Sequence, residues 1–149
     1  MNLYSILLTP FISAAIAQII KIMLSHRNNM KLIDLIKFSY AGMPSGHSAF
    51  VSSLVVIIGL TQGITSPIFA LTIAFAVIVI NDALKLRQYL GQQGAIINIL
   101  IKDLKDDQFL DEKYPILKER IGHTKIEVIA GCLLGIAIGI IIFIFFNII

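Results

Sequence analysis

Long runs of apolar residues separate short polar segments along this 149-residue chain. Four such runs stand out, at residues 3–24, 45–60, 68–80 and 128–149. The first and last are long enough to cross the hydrocarbon core of a bilayer, which takes about 20 helical residues. The second and third reach that length only if their polar ends, 45–47 and 81–87, continue the helices. The pattern predicts about four transmembrane helices; a re-entrant hairpin made from the second and third runs is the alternative.

Two polar segments also carry apolar residues at helical spacing. Residues 30–40 place Leu32, Ile33 and Ile36 on one side, which predicts a short amphipathic helix at the membrane interface. The hydrophilic section 91–122 contains two further sets, which are Ile96, Ile97, Leu100, Ile101 and Leu104, then Leu110, Tyr114, Leu117 and Ile121. They predict two amphipathic helices under the bundle or on the membrane surface. The fold class is therefore all-α, a polytopic membrane bundle forming a single domain over residues 1–149.

Composition supports a membrane protein and excludes several other classes. Hydrophobic residues make up 57% of the chain, charged residues 14%, and the mean hydropathy is +0.89. The net charge of +3 comes from scattered basic residues, which does not indicate nucleic-acid binding. The one cysteine, Cys132, lies in an apolar run, so no disulfide framework forms within one chain. The first run lacks a basic start and a cleavage site, and we expect it to be a retained helix rather than a signal peptide.

The charged residues indicate how the chain crosses the membrane. With four spans, all twelve Lys and Arg residues and all nine Asp and Glu residues fall on one side or at helix ends that open onto it. The positive-inside rule makes that side cytoplasmic. We therefore expect a multi-pass protein of the cell's inner (plasma) membrane, with both termini and the 61–67 turn outside.

The same topology gathers the ionisable residues of the helix ends at one cytoplasmic mouth. They are Lys21, Ser45, Gly46 and His47, Asp82 and Arg87, and His123 and Glu127. Polar groups at membrane depth are costly, so they usually face a cavity and one another. Each also has a plain structural reading. Lys21 would be a snorkelling anchor, Ser45 an N-cap, and Asp82 a partner of Lys85 or a helix cap.

Taken together, these residues suit phosphate chemistry. Lys21 and Arg87 supply positive charge, and Ser45 and Gly46 open a helix whose first N–H groups favour an anion. His123 and Glu127 are four residues apart and share a helix face, so the carboxylate can orient the imidazole as a nucleophile. His47 is a second imidazole that can donate a proton to a leaving group. The pattern predicts phosphomonoester hydrolysis through a phosphohistidine, without a metal or another cofactor.

The order of these motifs resembles a known family. The segment Met43-Pro44-Ser45-Gly46-His47-Ser48-Ala49 is similar to the PSGH motif of type 2 phosphatidic acid phosphatases, which are relatives of vanadium haloperoxidases. The closer resemblance is to the divergent branch of that superfamily, small bacterial and plastid membrane proteins. It rests also on 17–21, on Asn81-Asp82-Ala83 with Arg87, and on 122–128, and so covers nearly the whole chain.

The resemblance implies a role for each matching position. Lys21, Ser45 and Gly46 would bind phosphate, His47 would be the general acid, His123 the nucleophile and Glu127 its orienting carboxylate. Three features depart from the main family. No Arg-Pro pair follows Lys21, Glu127 replaces an aspartate, and Leu117 stands where an arginine is usual. Arg87 is the substitute we favour, ahead of Arg120.

We therefore expect a lipid-phosphate phosphatase of the cytoplasmic leaflet, whose substrate is a lipid such as phosphatidylglycerol phosphate or phosphatidic acid. Better-known bacterial members of the superfamily work from outside, so the predicted side sets this chain apart. Two alternatives stay open: a metal-dependent hydrolase using His47, His123, Glu127 and Asp82, and a non-enzymatic subunit that binds anionic lipids. The sequence also leaves open whether the protein forms a homo-oligomer.

Overall fold

The computed structural model describes residues 3–26, 42–103, 116–117, 119 and 121–148, and all regular structure in these ranges is helical. The helices are α1 (Leu3–His26), α2 (Gly46–Gln62), α3 (Pro67–Asn81), α4 (Arg87–Asp103) and α5 (Lys125–Ile148), and the π-helical turn Asp82–Leu86 joins α3 to α4. Three helical stretches, Ser5–Leu24, Pro67–Lys102 and Lys125–Phe146, are long and apolar enough to cross a membrane, and α2 is a shorter apolar helix. The predicted all-α membrane bundle is confirmed.

Local capping explains the tight connection between α2 and α3. Gly63 follows α2 with a φ of 83°, a left-handed value that favours glycine, and its N–H donates to the Gly59 carbonyl. Ser66 then caps α3, where its Oγ accepts the Phe69 N–H at 3.2 Å. Pro67 occupies the first turn of α3, where the missing N–H has no cost. The predicted turn over 63–67 is therefore present.

The third apolar run does not end at residue 80. It continues through the π-turn into α4, and the apolar stretch Pro67–Lys102 of 36 residues spans about 54 Å along its axis. The first amphipathic helix predicted in 91–122 is thus the continuation of the third span rather than a separate surface helix. The second was wrong where it can be compared, because residues 116–117, 119 and 121 are not helical. The predicted helix over 30–40 and residues 104–115 lie outside the described residues.

Helix α2 lies at the centre of the bundle. It packs against α1, α3 and α5, and α1 also packs against α5. Gly131 and Gly135 of α5 face the backbone carbonyls of Ser45 and Ala49, at positions where any Cβ would collide with those oxygens. Gly139, one turn further on, packs against Val56. Small residues at a spacing of four thus let two helix backbones approach closely, as the sequence pattern indicates.

Helix α1 turns a mostly polar face toward this centre. Ser5, Thr9, Ser13, Ala17 and Lys21 recur every four residues, and all are buried. Ser13 Oγ donates to the Ala49 carbonyl at 3.0 Å and so joins α1 to α2, whereas Thr9 Oγ1 donates within α1 to the Ser5 carbonyl. Hydroxyl groups can be buried at low cost when they bond to carbonyls in this way. Lys21, the last residue of this face, lies at the mouth of the bundle.

Candidate active site

Two helices begin side by side at the mouth of the bundle. The Ser45 N–H, at the start of α2, donates to the Glu127 carbonyl, in the first turn of α5, at 3.0 Å. Ser45 is fully buried and caps α2, because its Oγ accepts the Ser48 N–H at 3.4 Å and the Ser48 hydroxyl at 3.0 Å. Gly46 and His47 belong to the first turn, whose N–H groups have no acceptor inside the helix.

His123 reaches this mouth from a non-helical segment. Residues 121–124 precede α5, and Gly122 adopts a φ of 106° that favours glycine. The His123 N–H donates to the Ala83 carbonyl of the π-turn at 3.1 Å. The His123 carbonyl accepts from Gln88 Nε2 at 3.0 Å. The His123 side chain is 2% exposed, so its backbone is fixed from one helix while its ring lies inside the bundle.

Glu127 contacts the ring of His123 and closes the start of α5. Its Oε2 lies 3.2 Å from His123 Nδ1 and accepts the Thr124 N–H at 2.9 Å. Thr124 Oγ1 in turn accepts the Glu127 N–H at 3.3 Å. This reciprocal pair is a capping box. Since Nδ1 faces the carboxylate, Nε2 is the ring nitrogen left to meet a substrate.

His47 lies next to His123. Their ring centroids are 6.4 Å apart and the rings are tilted by 55°. His47 is exposed, whereas His123 is buried. The exposed imidazole and the buried one therefore lie close enough to act on one bound group.

Lys21 lies on the inner, buried side of the mouth. It is 7% exposed, and its side chain packs beside Gly42, where a Cβ would lie 3.5 Å from Lys21 Cε. Its charge acts on both His47 and His123, and it is attracted by Glu127. A buried ammonium near two imidazoles is well placed to attract an anion.

The π-turn places Arg87 over the mouth. Arg87 Nε donates to Asp82 Oδ2 at 2.9 Å. In an α-helix, residues five apart point about 140° away from each other, whereas the wider π-turn brings them onto one face. The pairing of Asp82 with Lys85 that the sequence allowed does not occur; Arg87 is the partner instead. The Arg87 and Asp82 charges both act on His47.

Burial lowers the pKa of His123 below its ordinary value of 6.5. The hydrogen bond to Glu127 and its charge oppose this effect, while the charges of Lys21 and His47 add to it. The imidazole of His123 is therefore neutral at pH 7, the form in which its nitrogen can act as a nucleophile.

The residues that the predicted topology gathers at the mouth lie near one another in the structure, while their roles stay a prediction: Lys21, Ser45, Gly46, His47, Asp82, Arg87, His123 and Glu127. Arg120 lies outside the described residues.

Sequence reasoning missed three residues that support the site, Ala83, Gln88 and Thr124. The Thr124-x-x-Glu127 spacing is a sequence signal for a capping box. The contacts of Ala83 and Gln88 with the His123 backbone have no corresponding pattern in the sequence. Within the described ranges, no three His, Cys, Asp or Glu side chains group closely enough to hold a metal ion.

A helical membrane bundle with this cluster at its mouth points to one class, and the comparison with protein families agrees: the chain belongs to the Divergent PAP2 family, whose model matches residues 4–138. The resemblance seen in the motifs is confirmed. Among individual proteins, the chain is similar to "Uncharacterized membrane protein YuiD" of Bacillus subtilis (strain 168), at 35% identity over 151 residues, covering 94% of each chain. No solved structure matches it.

Proposed function

We propose that the protein is a phosphatase that hydrolyses a lipid phosphomonoester through a phosphohistidine on His123. The observation that carries this proposal is the arrangement of the two imidazoles. The Nδ1 atom of His123 lies 3.2 Å from Glu127 Oε2, and the His47 ring lies 6.4 Å from the His123 ring between centroids. Family membership supports the same reaction class.

In the first step, the substrate phosphate is bound by Lys21, Arg87, Ser45 and the N–H groups at Gly46 and His47. His123 Nε2 attacks phosphorus and forms the P–N bond, while the bond from phosphorus to the lipid oxygen breaks. Protonated His47 gives its proton to that oxygen, and the lipid alcohol leaves. Glu127 stabilises the positive charge that develops on the His123 ring.

In the second step, water attacks the phosphohistidine. The neutral His47 takes one proton from this water, and the P–N bond breaks as the new P–O bond forms. Inorganic phosphate leaves, His123 is neutral again, and His47 is protonated for the next cycle. The sum is one lipid phosphomonoester plus water giving one lipid alcohol plus phosphate.

The proposed substrate side is the cytoplasmic leaflet. The charged segments that flank the mouth favour the cytoplasm by the positive-inside rule. A lipid phosphate made on the inner leaflet, such as phosphatidylglycerol phosphate or phosphatidic acid, fits this side. Recycling of polyprenyl diphosphates fits less well, because it needs a site on the outer face.

An assay of the purified protein on a panel of phosphorylated lipids tests the proposed reaction and its substrate. We expect phosphate release in the presence of a chelator, loss of release in His123→Ala, and an acid-labile labelled phosphoprotein in the wild type but not in His123→Ala. His26→Ala is the matched control, because His26 belongs to none of the motifs. Full activity in His123→Ala would exclude the mechanism.

Two other outcomes would support the alternatives. Activity that a chelator abolishes and one divalent ion restores would favour a metal-dependent hydrolase. Copurification of anionic lipid, with no turnover of any phosphorylated lipid, would favour a lipid-binding subunit.

A further inference from the structure

The π-turn changes which backbone groups are available beside His123. At its end the Arg87 N–H donates to the Asp82 carbonyl, five residues back. In a regular α-helix the same N–H would take the Ala83 carbonyl. In this structure the Ala83 carbonyl accepts the His123 N–H instead, at 3.1 Å. The local widening of the helix therefore coincides with a contact to a segment 40 residues away in sequence.

Gln88 binds the other backbone polar group of His123, which is its carbonyl. Its Nε2 donates to the His123 carbonyl at 3.0 Å. Gly122, just before His123, packs against the same stretch, where a Cβ would lie 3.1 Å from the Gln88 nitrogen and 3.2 Å from Arg87 Cβ. Both backbone groups of His123 are thus bound by one short stretch of helix, and only its ring is bound by α5.

This stretch also carries Arg87, through its ion pair with Asp82. One helical segment therefore binds the backbone of His123 and also carries the Arg87 guanidinium. Residues 121–123 lie outside any helix. The contacts from Ala83 and Gln88 are the ones that bind the His123 backbone itself, whereas Asn98 binds the same segment further upstream, at Leu117 and Glu119. An imidazole that attacks phosphorus must be held within a fraction of an ångström of its productive position, because small displacements reduce the rate strongly.

We propose that Gln88 is a positioning residue for the nucleophile His123, acting with the Ala83 carbonyl that the π-turn makes available. The inference rests on the proposed function. In this proposal Gln88 acts through the backbone of His123, which it binds at the carbonyl.

The test compares Gln88→Met with the wild type. Methionine has a similar length and no N–H donor. We expect kcat to fall about three- to tenfold, the size expected for one lost hydrogen bond. KM should change by less than about twofold, because Lys21, Ser45 and Arg87 still bind the phosphate.

Two further readouts separate positioning from a loss of folded protein. A loosened His123 is less buried, so the acidic limb of kcat/KM should move to higher pH, while the groups that face its ring (Glu127 of α5, Lys21 of α1 and His47 of α2) are unaltered. The backbone amides of residues 121–124 should exchange hydrogen faster, and those of α2 should not change.

The controls use the same helix. Gln92→Met changes an exposed glutamine one turn further along α4 and should behave as wild type. Gln88→Lys restores an N–H donor on a side chain of similar reach and should recover most of kcat.

Two results would overturn the proposal. One is an unchanged kcat in Gln88→Met. The other is a reduced kcat that follows thermal stability alone, with the same pH limb and the same exchange rates. If the wild type turns over no phosphorylated lipid, the proposed function fails and so does the nucleophile role. The exchange rates still decide whether Gln88 fixes the segment.

Discussion

At the scale of single residues, the Glu127 carboxylate serves two partners at once. The same oxygen accepts the Thr124 N–H and contacts His123 Nδ1. A capping box alone would account for the first contact, and any glutamate or glutamine could make it. The second contact needs the charge if His123 becomes cationic during the reaction. The two roles can be separated by substitution.

Glu127→Gln keeps the shape and an oxygen for the cap but removes the negative charge. We expect kcat to fall by at least about tenfold, because the charged phosphohistidine loses its stabilising partner. Initial rates of phosphate release and thermal unfolding in detergent are the measurements.

Thr124→Ala provides the matched control. It removes the hydroxyl that accepts the Glu127 N–H and should cost about 1 kcal/mol of stability, with kcat close to that of the wild type. Equal losses of activity and stability in both variants would show that Glu127 is only a cap.

The lowered pKa of His123 predicts the pH dependence of activity. A nucleophilic imidazole must be neutral, so kcat/KM should fall on the acidic side with a midpoint below 6.5. Stability should follow the same direction. The unfolded chain takes up this proton near 6.5, whereas the folded chain takes it up only at lower pH. The stability that the neutral His123 contributes is therefore present above pH 6.5, and it is lost as the pH falls toward the lower pKa of the folded state.

Unfolding curves recorded between pH 7 and pH 5 test whether the stability falls with the pH as predicted. His123→Gln should flatten the dependence, and His26→Gln should not. A stability that rises as the pH falls through this range would contradict the burial of a neutral His123.

The chemistry-bearing residues were the most predictable part of the site. His47, His123 and Glu127 are recognisable because their motifs occur in a fixed order and because the topology brings helix ends together. Ala83 could not be predicted, because it acts through a carbonyl that every residue possesses. Gln88 could not be predicted either, since its partner is the backbone of a residue 35 positions away.

At the scale of helices, hydrophobic length predicted the spans well and the connections poorly. The polar residues 81–87 predict an end of the third run at residue 80, yet the helix continues through the π-turn to Asp103. The helix predicted around Leu117 fails for a different reason. The Leu117 N–H and carbonyl are both bound by the Asn98 side chain, so the apolar spacing did not reflect helical hydrogen bonds.

The glycines of α5 give a prediction at this scale. In Gly135→Ala the new Cβ would collide with the Ala49 carbonyl, which also accepts the Ser13 hydroxyl. We expect a loss of about 1–3 kcal/mol in stability, because α2 and α5 must move apart. Thermal unfolding in detergent measures it.

Ala137→Leu is the control, since it adds more volume at an exposed position of the same helix. An unaffected Gly135→Ala protein would show that the two helices do not pack as closely as described.

At the scale of the whole molecule, the side of the membrane remains the prediction that most constrains the substrate. In a variant with Cys132 replaced by serine, a single cysteine at Thr65 should react with a membrane-impermeant reagent applied to intact cells. A cysteine at Lys102 should react only after permeabilisation. The opposite pattern would place the mouth outside and would favour an outer-leaflet substrate.

The adjacent starts of α2 and α5 have a consequence for experiments. Each helix N-terminus carries roughly half a positive charge from its aligned peptide dipoles, and the bond between Ser45 and Glu127 shows that the two ends meet. This field belongs to the backbone, so replacing a side chain does not remove it. An inactive His123→Ala protein is therefore expected to retain its phosphorylated lipid through purification. Mass spectrometry of that trapped lipid would identify the natural substrate directly.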